Sequence, residues 1–147
     1  MKKAILAAVC AVALLFTAAP ATAIDKPAGP CSEIRWKKSA FHRRQLVRCA
    51  AGWAKISYSS FLQVGLRESG VNLFPKAVSW TGCCKGVFQH HDAYWQSRAR
   101  SLLRQSWFVV PFPTDQRPNR LIFNARANVL AAARMWRNQG GPCPAWC

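Results

Sequence analysis

The sequence predicts a mainly α, single-domain protein stabilised by disulfides. Three observations carry that expectation. Four segments space their apolar residues three to four apart and are bounded by helix start and stop residues. No run of alternating strands is visible. Past the N-terminal 23 residues the chain keeps six cysteines, an even number that reads as three disulfides in an exported chain.

Residues 1–23 are expected to be a cleaved export signal. Lys2 and Lys3 form its basic start, AILAAVCAVALLF its apolar middle and Ala21-Thr22-Ala23 a small-residue cleavage site. The apolar run is shorter than a membrane span, and Cys10 lies inside it. Residues 24–147 are then the domain, secreted to an extracellular or periplasmic location.

The stretch IDKPAGPCS reads as an extended lead-in. From Ser39 to Ile56 the spacing predicts a helix. Phe41, Leu46, Cys49, Ala50, Trp53 and Ile56 form its apolar side, and Arg43, Arg44, Arg48 and Lys55 the other. Ser59 or Ser60 can cap a second helix. Phe61, Leu62, Gly65 and Leu66 give it a face, and Gly70 is placed to stop it. Residues 71–86 read as a loop. A third helix is expected from Asp92 to Gln105, and residues 106–119, with three prolines, as a loop or extended segment. The last helix runs from a cap at Asn124 to Asn138, with Val129, Leu130, Ala133 and Trp136 inward.

The six cysteines are Cys31, Cys49, Cys83, Cys84, Cys143 and Cys147, and their pairing stays open. Adjacent Cys83 and Cys84 are expected to reach different partners, because a vicinal ring strains the peptide between them. The chain holds 21 Lys and Arg against five Asp and Glu, a formal charge of +16; loss of Lys2 and Lys3 with the signal leaves +14. Self-repulsion at that charge points to an anionic partner, either a cell-wall polymer or a membrane surface, and no specific nucleic acid. Arg126, Arg134 and Arg137, with Arg98, Arg100 and Arg104, are expected to form a basic face.

Glu68 stands at the end of an apolar helix, followed by Ser69 and Gly70. Glycoside hydrolysis needs a protonated carboxyl group beside the scissile oxygen. Apolar walls and the negative end of a helix both favour the protonated form of an acid. The plainer alternative is a surface carboxylate paired with Arg67. Further on come Gly86-Val87-Phe88-Gln89 and, in the last helix, Asn128-Val129. This ordered set resembles the lysozyme-like domain of lytic transglycosylases, especially the short secreted actinobacterial type. The likeness spans about residues 46–146.

The resemblance implies a lysozyme-like fold and cleavage of peptidoglycan glycan strands between N-acetylmuramic acid and N-acetylglucosamine. It makes Glu68 the single catalytic acid and base, and it associates the protein with the cell wall. The substrate contacts it suggests are Ser69, Gly86, Gln89 and His91, with Trp80 as a stacking ring. Ser69 and Gln89 have duller readings, as a helix end and as a buried amide holding its loop; Asp92 is the only plausible second carboxylate, and its duller reading is a cap beside His91. Longer members of the family carry Ala-Tyr-Asn-x-Gly, where this chain has GGPCPAWC, and TGCCKG puts cysteines in a loop usually without them. No cofactor is expected, nor a metal, since successive side chains of His90 and His91 diverge and oxidised cysteines do not ligate. The protein is expected to be a monomer. Two other functions compete: a non-catalytic cationic protein binding walls or membranes, and a secreted ribonuclease built on His90, His91 and Lys85.

Overall fold

The computed structural model describes residues 29–110 and 116–141. The expected export signal, Asp115, Cys143 and Cys147 lie outside the described residues. Five helices and one small hairpin follow in order: α1 (Ala40–Ala54), α2 (Tyr58–Ser69), β1 (Cys84–Lys85), β2 (His90–His91), α3 (Asp92–Leu103), α4 (Pro118–Leu121) and α5 (Ala125–Gln139).

The helix starts follow from capping chemistry. Ser39 Oγ accepts from the His42 amide, Ser57 Oγ from Ser60 and Asn124 Oδ1 from Ala127, each satisfying an amide that the first helical turn leaves open. The second cap is thus Ser57, not Ser59 or Ser60. At α3 the cap is His91, whose Nδ1 accepts from Ala93 at 3.1 Å. Asp92 is the first helical residue instead, where its charge suits the positive helix end. Gly70 ends α2 at φ 78°, as its position predicted.

α5 is the central element. Ten of its fifteen residues are buried, Arg126 and Asn128 among them, so its first turns are enclosed nearly all round. It packs against α1 and α3, while α1 also packs against α2 and α3 against α4. The interior is aromatic where α2, the hairpin and α5 meet. Phe61 stacks on Phe88 with ring centres 4.3 Å apart, and its edge meets Trp136 at 5.5 Å. Gly65 keeps α2 close to that layer: a Cβ there would lie 3.2 Å from the Phe88 ring.

Three expectations change. Phe41, assigned to the inner side of α1, is 64% exposed, because the core side of this helix is set by Leu46, Val47, Ala50, Ala51 and Ala54. The 71–86 loop ends in strand β1, paired antiparallel with β2 through Cys84–His91 and Lys85–His90. A short helix, α4, stands where an extended segment was expected, with Pro118 in its first turn. Among the described residues one disulfide forms, Cys31–Cys49. It fastens the lead-in to α1 and contributes about 3 kcal/mol by loop closure. The sulfurs of Cys83 and Cys84 lie in contact with each other, 2.7 Å apart.

Candidate functional site

Two sequence motifs far apart in the chain, Gly86–Gln89 and Asn128, meet at the hairpin, and α2, the helix that carries Glu68-Ser69, packs on it through Phe61. Asn128, in the first turn of α5 and fully buried, holds it. Its Oδ1 accepts from the Phe88 amide at 2.8 Å, and its Nδ2 donates to the carbonyls of Lys85 at 3.2 Å and Ile122 at 2.9 Å. Its backbone carbonyl accepts from His90 Nε2 at 2.9 Å. One asparagine thus satisfies both sides of the turn between β1 and β2. A buried amide left without those partners costs about 1–3 kcal/mol per group.

Gly86 is required by this seat. Its φ is 84°, and a Cβ would fall 2.1 Å from Asn128 Nδ2 and 2.4 Å from the Ile122 carbonyl. Gln89 closes the turn at φ 44°, a left-handed conformation that costs a non-glycine residue about 1–2 kcal/mol. Its side chain is buried and Nε2 donates to the Gly86 carbonyl at 2.8 Å. Such strain persists where the surroundings fix it, and it gathers at functional sites.

Glu68 is the penultimate residue of α2, on the helix whose Gly65 touches Phe88. Its side chain is 17% exposed. Oε1 accepts from both Nε and Nη2 of Arg67, at 3.2 and 3.1 Å. The carboxyl group therefore has a cation beside it rather than apolar walls alone. Ser69 is buried, and its hydroxyl donates to the Gly65 carbonyl at 2.9 Å. That bond spends its proton on the helix end and fixes the last turn that carries Glu68.

His90 and His91 part company. His90 is fully buried, with Nε2 donating to the Asn128 carbonyl and Nδ1 accepting from Arg98 Nη1 at 2.8 Å. Burial pushes its pKa down to about 3, and the Arg98 charge adds to that while the Asn128 bond opposes it. A neutral imidazole with both nitrogens engaged is no acid–base group for a substrate, which removes one member of the ribonuclease pair. His91 caps α3 and lies 5.5 Å from the Tyr94 ring. Trp80, at the tip of the loop before β1, is 98% exposed, so its ring faces are open for stacking.

Two hollows flank Phe123. One, of about 280 Å³, carries the Lys85–Asp92 ion pair and the Gln96–Asn119 hydrogen bond on its wall. The other, of about 300 Å³, lies among Trp36, Arg43, Phe74 and Lys76. Glu68 lines neither. The polar wall of the first was not foreseen; Asp92 and Lys85 were its only signals in the sequence.

The expected basic face on α3 and α5 forms only in part. Arg126 is buried, donating to the carbonyls of Pro30 and Val109 at 3.0 and 3.1 Å, and burial lowers its pKa to about 10. Arg98 turns inward to His90, and Arg134 donates to Ser101 at 3.2 Å. Arg100, Arg104 and Arg137 remain exposed, with Arg137 over the Trp53 ring. No family model, curated protein or solved structure matches this chain.

Proposed function

We propose that the chain is an exported peptidoglycan-cleaving enzyme of the lysozyme or lytic transglycosylase kind, with Glu68 as its single acid and base. The observation that carries this reading is the hairpin of Gly86–Gln89, seated by Asn128 and packed on α2, the helix whose last turn bears Glu68. Phe88 packs on that helix at Gly65. The strained backbone at Gln89 and the open Trp80 ring add to it.

In this mechanism the Glu68 carboxyl group gives its proton to the oxygen linking N-acetylmuramic acid to N-acetylglucosamine. The carboxylate then takes a proton from the muramic 6-hydroxyl, closing a 1,6-anhydro ring, or from water, leaving a reducing end. Arg67 must leave Oε1 for either transfer. Its side chain is 71% exposed, so solvent replaces the contact at little cost. His91 is assigned to the substrate wall and Trp80 to a sugar face, while the buried Ser69, Gly86 and Gln89 hold the helix end and the turn.

The Arg67–Glu68 pair favours a second reading, a cationic wall- or membrane-binding protein without turnover, in which the carboxylate serves only its neighbour. Mass spectrometry of purified peptidoglycan after incubation separates the two. We expect soluble muropeptides with anhydro or reducing muramic ends. Intact glycan strands with bound protein would favour the second reading.

A further inference from the structure

Cationic and apolar side chains coincide on a face that the α-helical patterning did not mark. Phe41 in the first turn of α1, and Val71 and Phe74 just after α2, are 64%, 71% and 53% exposed. Two arginines tie these segments together. Arg44 Nη2 donates to the Val71 carbonyl at 3.1 Å, and Arg43 Nε to the Asn72 carbonyl at 2.7 Å. The Arg43 guanidinium also lies 6.0 Å from the centre of the Phe74 ring. Lys37 and Lys76 border the hollow that Arg43 and Phe74 share. Between Glu33 and Asp92 the only carboxylate is Glu68, and Arg67 neutralises it.

We propose that this face binds the surface of an anionic phospholipid bilayer. Carbonyl groups orient the two guanidinium groups without cancelling their charge, so phosphate remains an attractive partner. Basic residues near an anionic leaflet contribute about 1 kcal/mol each. A soluble polyanion is satisfied by charge alone. It offers nothing to Phe41, Val71 and Phe74, which gain by entering the boundary between headgroups and acyl chains. Exposed apolar tips rimmed by arginine and lysine therefore select a lipid surface over a polymer. The proposal is independent of glycan cleavage.

The test is co-sedimentation of the full chain with vesicles at about 0.15 M salt. One set contains equal parts phosphatidylglycerol and phosphatidylcholine, the other phosphatidylcholine alone. Binding is expected to the anionic vesicles only. The double variant Val71→Ser/Phe74→Ser, which keeps every charge, should bind at least ten-fold more weakly. Arg43→Gln/Arg44→Gln should weaken binding similarly. Arg100→Gln/Arg104→Gln, which removes two exposed charges elsewhere, should change it less than two-fold. Circular dichroism confirms that each variant is folded. No binding to anionic vesicles overturns the proposal. So does full binding by Val71→Ser/Phe74→Ser, which would mark a polyanion surface, or equal loss in the two arginine pairs, which would mark unspecific charge.

Discussion

His90 shows how tightly single residues are specified here. Its two ring nitrogens meet a carbonyl acceptor and a guanidinium donor, so only the tautomer protonated at Nε2 satisfies both. A second proton would set Nδ1 against Arg98. An unfolded histidine takes that proton near pH 6.5, whereas the native one does so near about 3. The unfolded state therefore binds one more proton across that window. This contribution to stability is complete above about pH 6.5 and declines with acidification, by about 1.4 kcal/mol per pH unit, until about pH 3. We expect NMR to show the His90 imidazole still neutral at pH 5; a midpoint near 6.5 would contradict the packing described. The sequence placed His90 in a functional segment but gave no hint of this burial, because its partners lie eight and thirty-eight residues away. Arg126 misled for the same reason. A helical arginine is read as solvated by default, and only tertiary contacts reveal carbonyls from two distant segments around it.

At the scale of elements, the long helices were legible because caps and apolar spacing are local. α1, α2, α3 and α5 begin within three residues of the expected positions. The hairpin and α4 were not, since two-residue strands and a four-residue helix have no period to detect. The hairpin's stability depends on one glycine and one asparagine. Gly86→Ala should cost about 2–3 kcal/mol, from the left-handed backbone and from the clash with Asn128. Urea unfolding measures this, and a change below about 0.5 kcal/mol, the range of ordinary surface substitutions, would mean that the turn relaxes and is not seated as described. The structure shows both a close approach and a positive φ at Gly86.

For the whole molecule, the excess of positive charge and the scarcity of carboxylates frame the functional reading. Composition pointed to an anionic partner. It did not show that Arg126 leaves the basic face, because charge counts carry no direction and the first turns of α5 are enclosed. The seating of the hairpin by Asn128 is a property of the assembled chain, visible in the sequence only as an order of segments. The most direct measurement of the central claim is the activity of Glu68→Gln on purified cell wall, assayed for released muropeptides and for bound protein. The account predicts that release falls at least a thousand-fold, about 4 kcal/mol of lost transition-state stabilisation, while binding stays within two-fold of the wild type. Undiminished release by this variant would show that Glu68 is not the acid and would contradict the account.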